Sequence, residues 1–244
     1  SEKLCESKCN RLDFSDHTVR IKDLQLWACE QAGDKGWVDD FAELNGERVA
    51  IVGAGPAGLS CAHYLARLGF KVDIYEKTDK AGGLISQVIP NYRYSKETIE
   101  NELAHIIDNK RIEIKYNSEL GVDFELQELS EQYYSVFLAF GLSSGKILEF
   151  PGIENVEYHD ALGFLRSNKK NPSRIKNQEI VVIGGGSVAI DAALSAKKAG
   201  AKAVKIVCLE SREEMPCLSY EIDELMAENI EIFNSWGPVE VMNH

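Results

Sequence analysis

The sequence predicts a parallel α/β fold in which one strand–turn–helix–strand unit is used twice. Three observations carry this. Short runs rich in Val and Ile alternate with stretches of helical periodicity, the pattern of strands and helices in a parallel sheet. A glycine-rich turn stands between strand and helix at residues 53–58 and again at 184–189. The two turns begin 131 residues apart, which is a repeat of a supersecondary unit and far longer than a solenoid period.

Composition sets the outer bounds. At roughly 150 residues per domain, 244 residues make one large domain or two small ones. A hydrophobic share of 44% with 27% charged residues is that of a globular protein, and it excludes a disordered tail, a collagen and a coiled coil. Lys and Arg number 27 against 39 Asp and Glu, a net charge of −12 that repels phosphate backbones, so nucleic acid is excluded as a partner. The longest apolar run is a few residues, so no membrane span is expected, and no charged-then-apolar leader opens the chain. The chain starts on Ser1 with no Met, as an excised piece would. Six cysteines at 5, 9, 29, 61, 208 and 217 are too sparse for a disulfide scaffold and point to a reducing compartment, the cytoplasm.

Four stretches follow one another. Residues 1–44 are polar, and Val19, Ile21, Leu24 and Trp27 fit a short helix loosely. Asn45-Gly46 then marks a turn. ERVAIV, residues 47–52, reads as a buried parallel strand. The helix after the first glycine turn puts Leu59, Ala62, Leu65 and Ala66 on one face and stops at Gly69. KVDIYEK, residues 71–77, is the next strand, followed by the glycine pair Gly82-Gly83. Residues 95–109 form an amphipathic helix capped by Ser95, with Ile99, Leu103, Ile106 and Ile107 on one side. Strands follow at about 112–115 and 134–140. Phe150-Pro151-Gly152 links two modules, 159–168 is a helix, and Asn171-Pro172-Ser173 is a loop. The segment 179–210 then repeats strand, glycine turn, helix and strand. The domains so drawn are 1–44, 45–150 and 151–244.

The first turn is Gly53-Ala54-Gly55-Pro56-Ala57-Gly58, a G-x-G-x-x-G in the strand-to-helix context that a dinucleotide fingerprint needs. Gly53 permits the tight turn, Gly55 lets the backbone approach a pyrophosphate, and Gly58 lets helix and strand pack closely. The helix N-terminus presents N–H groups to the anion. Glu76, 18 residues past Gly58 at the end of the next strand, is placed to accept hydrogen bonds from a ribose diol. The second turn is Gly184-Gly185-Gly186-Ser187-Val188-Ala189, with Ala in the third position. Glu210, 24 residues past Gly186, favours NAD because it would repel a 2′-phosphate, with Arg212 as the opposing signal for NADP. These are two Rossmann-like dinucleotide sites in one chain, which implies two cofactors exchanging a hydride. Gly82-Gly83-Leu84 would let a long ligand continue past its phosphates, which suits FAD at the first site and a nicotinamide at the second. Such transfer needs positioning rather than acid–base groups, so no catalytic dyad is expected. His63 and His105 read as surface or packing residues, and Cys61 and Cys208 as buried small hydrophobes. No close Cys pair follows the first motif, so dithiol exchange is not expected. Cys5-x3-Cys9 is half of a metal or cluster ligand set, or two unrelated thiols.

The run VAIVGAGPAGLSCAHYLARLGFKVDIYEK, with AGGL, IPNYRY, GLSSG, FPG and VVIGGGSVAIDAA…REEMP, resembles one family over essentially the whole chain. It is the family of FAD- and NAD(P)H-binding flavoprotein subunits of glutamate synthase and dihydropyrimidine dehydrogenase, with the NAD-dependent bacterial flavin subunit of the latter as the nearest pattern. The resemblance implies FAD contacts at Gly53, Ala54, Gly55, Pro56, Ala57, Glu76, Lys77, Gly83, Leu84, Arg93 and the backbone of Leu120. It implies nicotinamide-nucleotide contacts at Gly185, Gly186, Ser187 and Val188, with Ser187 standing where relatives often carry Asp or Asn. NADPH-using relatives place basic residues where this chain has Leu209 and Glu210. The N-terminal stretch resembles the end of a helical iron–sulfur arm, in which Cys5, Cys9 and Gln25 match ligands of a 4Fe–4S cluster. The rest of that ligand set and the C-terminal return to the flavin module would lie outside this sequence, so a cluster is implied for the full-length protein only. The function so implied passes electrons from NADH through FAD toward iron–sulfur clusters and a catalytic partner subunit or domain. The small subunit of NADPH-dependent glutamate synthase is the alternative, and a non-catalytic nucleotide-binding or assembly module is a third reading.

Overall fold

The computed structural model describes residues 4–33, 40–107 and 110–242. The chain divides into two units, Ser1–Asp40 and Phe41–His244. Residues 1–3 and 34–39 of the expected arm, 108–109 at the end of the expected helix 95–109, and 243–244 lie outside the described residues. Among the described residues no helix is long and apolar enough to cross a membrane.

The first unit holds α1 (Leu4–Ser7), a 3-10 turn at Asn10–Asp13 and α2 (Ile21–Ala32). The helix expected around Ile21, Leu24 and Trp27 is therefore present. It is tied to α1 by Glu6, a buried carboxylate that accepts from the Lys22 backbone N–H at 3.3 Å.

The second unit begins with β1 (Arg48–Val52), α3 (Pro56–Arg67) and β2 (Lys71–Glu76). Then come α4 (Gly83–Gln87), α5 (Lys96–Ile107), β3 (Ile112–Tyr116), α6 (Leu126–Gln132) and β4 (Ser135–Leu138). The four strands form one parallel sheet in the order β3-β2-β1-β4, with Val49 beside Val72 and Ser135. Strand β1 is apolar because the sheet is covered on both faces. Ile51 packs with Leu59, Ala62, Ala66, Val72 and Ile74 under α3 and α5. Ala50 and Val52 face the other way, against Leu129 of α6, Tyr75, Phe124 and Tyr133. The apolar face expected of α3 and the Leu103, Ile106 and Ile107 face expected of α5 supply this packing. Ser95 Oγ accepts from the Thr98 backbone N–H at 3.0 Å, as the cap required.

A charge lies beneath this sheet that the sequence pattern did not reveal. Asp73 on β2 is buried and accepts from Arg48 at 2.6 Å, from the Tyr133 hydroxyl at 2.5 Å and from Lys115 at 3.2 Å. Burial alone would raise its carboxyl, but these three donors hold it below the ordinary value.

The linker leads to α7 (Ala161–Lys170), capped by Asp160 accepting from the Gly163 N–H at 3.0 Å. A 3-10 turn at Pro172–Ile175 replaces the loop expected at 171–173. Next come β5 (Glu179–Ile183), α8 (Ser187–Lys198), β6 (Ala203–Cys208), α9 (Ser219–Ala227) and β7 (Glu231–Asn234). The three strands are parallel in the order β5-β6-β7. Ile190, Leu194, Ile206 and Leu225 form the core on one face. On the other face Val181 and Ile183 stay exposed.

Candidate nucleotide-binding site

Both glycine turns sit where a parallel strand gives way to a helix N-terminus. In the first, Gly53 has φ +108°, and a Cβ there would lie 2.4 Å from the Ala139 carbonyl oxygen. A Cβ on Gly58 would lie 1.9 Å from the Gly53 carbonyl oxygen. Those two glycines are therefore demanded by the turn itself, as the fingerprint requires. Gly55 differs, because the nearest atom to a Cβ there is the Gly83 Cα at 4.0 Å. The space over Gly55 is left for something other than protein.

That space belongs to a cleft of about 1170 Å³. Gly53, Gly55, Pro56 and Ala57 line it, with Glu76 and Lys77 from the end of β2. Gly83 and Leu84 of α4 and Leu120 close other parts of its wall. Ala54 and Gly58 lie beneath the turn, buried, and do not face the cleft. The volume exceeds the ~300–1,000 Å³ of a typical small-ligand pocket and fits a dinucleotide.

Glu76 has a structural task as well as a place in the cleft. One of its oxygens accepts from the Ala54 N–H at 2.8 Å, and the other from the Thr78 N–H at 2.9 Å and its hydroxyl at 2.7 Å. A carboxylate oxygen has a second lone pair, so ribose hydroxyls still have acceptors here.

The second turn is looser. Gly184 has φ +127°, yet a Cβ on it would meet only the Ala189 Cβ, at 3.8 Å. A Cβ on Gly186 would find its nearest neighbour at 3.9 Å. A Cβ on Gly185 would lie 3.2 Å from a Glu210 carboxylate oxygen, so Glu210 leans over the turn from the end of β6. Among the described residues the Glu210 carboxylate accepts no hydrogen bond, and only its backbone oxygen is used, by Ser235, Asn234 and the Cys208 thiol. Ser187, the first residue of α8, donates its hydroxyl to Glu221 at 2.7 Å, and Val188 is exposed. None of these residues lines the first cleft.

Arg93 is placed apart from both turns. It does not line the cleft. Its Nε donates to Asp191 at 2.8 Å and its Nη1 to Glu224 at 3.1 Å, both in the second half of the unit. Burial raises the Asp191 carboxyl above its ordinary value despite this partner. Asp191, Glu221 and Glu224 were not singled out from sequence. Glu221 had one signal, an acid placed to reach back to the N–H of Leu218 at a helix start, which it does at 2.9 Å.

In the first unit Cys9 is half-buried, and backbone N–H groups of Val19 and Arg11 lower its thiol below the ordinary value. Cys5 and Gln25 are exposed. Among the described residues no three or more His, Cys, Asp or Glu side chains come together as a metal site. Two thiols and an amide fall short of the four ligands of a cubane cluster, so the arm present here does not by itself fit one.

The description of the pyridine nucleotide-disulphide oxidoreductase family matches residues 47–233. The chain is similar to the β subunit of NADP(+)-dependent formate dehydrogenase from Moorella thermoacetica, at 36% identity over 82% of this chain and 28% of that protein. It is 33% identical to the small chain of NADPH-dependent glutamate synthase from Bacillus subtilis, over 82% of this chain and 43% of that one. It is also 33% identical to the subunit PreT of the NAD-dependent dihydropyrimidine dehydrogenase of Escherichia coli, over 99% of this chain and 58% of that one. The chain thus spans less than two thirds of the length of each of these relatives. In fold it is similar to FprA of Mycobacterium tuberculosis, with a TM-score of 0.66, 19% identity and coverage of 81% of this chain and 61% of that one.

Proposed function

Because the chain belongs to the pyridine nucleotide-disulphide oxidoreductase family, a family of FAD-dependent oxidoreductases, we propose that it takes hydride from NADH onto FAD and sends the electrons onward to a partner. Binding of FAD and NAD(P)H fits this family. FAD is assigned to the flavin module, residues 45–150, and the nicotinamide nucleotide to the module at 151–244. The observation that carries this is the cleft over Gly55, open where a Cβ would stand and walled by Gly53, Pro56, Ala57, Glu76, Lys77, Gly83, Leu84 and Leu120. In it the pyrophosphate would lie against the α3 N-terminus and the ribose against Glu76. The bound flavin supplies the redox chemistry, and the protein holds and orients it. Gly185, Gly186, Ser187 and Val188 form the anion cradle of the second site.

NADH rather than NADPH is supported by Glu210, whose uncommitted carboxylate leans over the turn. A 2′-phosphate would meet that charge. Dithiol exchange is not part of the proposal, since no close Cys pair follows the first glycine motif. Six cysteines in 244 residues are too sparse for a disulfide scaffold, which fits a reducing compartment, and the proposed location is the cytoplasm. The terminal reaction belongs to the partner subunit. A dihydropyrimidine dehydrogenase is favoured over a glutamate synthase by the pattern of Cys5, Cys9 and Gln25 in the N-terminal stretch; similarity across 99% of this chain extends to a subunit of each. In the whole protein Cys5, Cys9 and Gln25 would serve a 4Fe–4S cluster completed by other residues.

The test is anaerobic titration of the FAD-loaded protein with NADH and, separately, NADPH. Bleaching of the flavin's visible absorbance by NADH at lower concentration than by NADPH is the expected result. A protein that takes up no FAD, or whose FAD is reduced by neither nucleotide, refutes the proposal.

A further inference from the structure

The strand order β5-β6-β7 sets three features of the second half side by side at the ends of its strands. The glycine turn follows β5, Glu210 follows β6, and the loop 235–237 follows β7. That last loop is stitched to the one before it. The Ser235 N–H donates to the Glu210 carbonyl at 3.1 Å and the Trp236 N–H to the Cys208 carbonyl at 3.0 Å. The Asn234 side chain adds a bond to the Glu210 carbonyl at 3.2 Å. Ser235 takes φ +61°, a left-handed turn uncommon outside glycine, and the chain doubles back there to make these bonds. A Cβ on Gly237 would lie 2.8 Å from the Leu209 Cδ2, so the bare glycine makes room for that leucine. The product is an apolar pair beside Glu210, with Leu209 77% and Trp236 64% exposed. Phe233 braces the indole at a steep angle, ring centroids 6.2 Å apart, without covering it.

We propose that Trp236, with Leu209, is the platform on which the adenine base of the nicotinamide nucleotide lies, an inference that rests on the function proposed above. The ligand's own connectivity supplies the argument. In an adenosine the phosphate leaves the ribose at one end and the base at the other. With the pyrophosphate at the turn after β5 and the ribose diol at Glu210 after β6, the base lies past Glu210, at the next strand end, that of β7. There it meets a flat indole and a leucine. A purine face stacks on an indole, and the contact hides apolar surface that both otherwise leave in water. The backbone bonds of residues 235 and 236 fix the platform before the ligand arrives, so little ordering remains to be done on binding. Trp236 does not line the cleft over Gly55, so its action is confined to the second nucleotide.

The experiment uses the FAD-loaded protein, with ADP-ribose binding read by calorimetry, tryptophan emission read in a parallel titration, and flavin reduction by NADH followed by stopped flow. ADP-ribose should quench part of the tryptophan emission of the wild type, and Trp236→Phe should abolish that quench although Trp27 and Trp37 remain. Trp236→Ala should weaken ADP-ribose binding at least about fivefold and raise the half-saturating NADH concentration by the same factor, with the limiting rate of flavin bleaching within about twofold of wild type. Trp236→Phe should bind ADP-ribose within about threefold of wild type, because a phenyl ring still stacks. Three results overturn the inference alone: Trp236→Ala binding within about twofold of wild type, a Phe variant as weak as the Ala variant, or a quench that survives in Trp236→Phe. A wild-type protein that takes up FAD but binds no ADP-ribose overturns the proposed second site, and the inference with it.

Discussion

The two halves of the larger unit solve the same problem with different tolerances. In the first, the glycine turn is locked: Gly53 and Gly58 have no room for a methyl group, and the acid at the end of β2 is bonded to the turn it serves. In the second, the third glycine position is already Ala189, Gly186 has open space, and the acid at the end of β6 is uncommitted. The sheets differ in the same sense. In the first, strands β1 and β2 are covered on both faces and carry a satisfied buried charge at Asp73, and apolar exposure is confined to the edge strands, as at Phe137 and Leu138 of β4; in the second, Val181 and Ile183 of β5 are exposed on one face. A site that must hold a cofactor through many turnovers gains from the first arrangement. A site that must bind and release a nucleotide each cycle gains from the second.

The sharpest way to break this comparison is at the third glycine position. Gly58→Ala forces a Cβ to within 1.9 Å of a backbone oxygen and is expected to destabilise the protein by about 3 kcal/mol or more, with loss of FAD. Ala189→Gly removes a methyl at the same place in the second turn and should cost only about 1 kcal/mol. Urea denaturation of both variants decides it; equal losses would end the claim that the turns differ.

Next in size is the third residue of the second strand in each half. Asp73→Asn weakens the partners of Arg48, Lys115 and Tyr133 and should cost about 2–3 kcal/mol. Lys205→Met on β6 breaks only an exposed pair with Glu231 and should change stability by no more than about 0.5 kcal/mol. Asp73 also gives the difference a pH signature. Its folded carboxyl lies below the ordinary 3.8, so its stabilisation is complete above that value and is lost as pH falls through the folded value. Acid unfolding below about pH 4 should therefore be blunted in Asp73→Asn relative to wild type.

The smallest effect is at the paired acids. Glu210→Gln should lower the preference for NADH over NADPH by about tenfold, roughly 1.4 kcal/mol, and leave stability unchanged. Glu76→Gln should reduce FAD retention instead. A Glu210→Gln protein with unaltered nucleotide preference would remove Glu210 from the site.

What could be read from the sequence follows the same division. Gly53, Gly58, Glu76 and Glu210 were legible because strand–turn–helix chemistry is local and its spacing is fixed. The apolar faces of α3 and α5 were legible because their periodicity survives in the core. The ion pairs of Arg93 were not: its partners lie 98 and 131 residues away, and no pattern near Arg93 names them. Asp73 sits inside an apolar strand, where its donors arrive from β1, β3 and Tyr133 only after folding. The helices α4, α6 and α9 and the strand β7 are short, with four to nine residues each, too few for a period to stand out.

The contact between Gly58 and the Gly53 carbonyl bears on how this protein can change over time. Every other amino acid brings a Cβ, so Gly58 has no neutral neighbour in sequence space, and the first turn can drift only with the backbone around it. The second turn has crossed that step at Ala189 and has room at Gly186. On the function proposed above, lineages or designers wishing to exchange one nicotinamide nucleotide for another can do so there without touching the half proposed to hold the flavin.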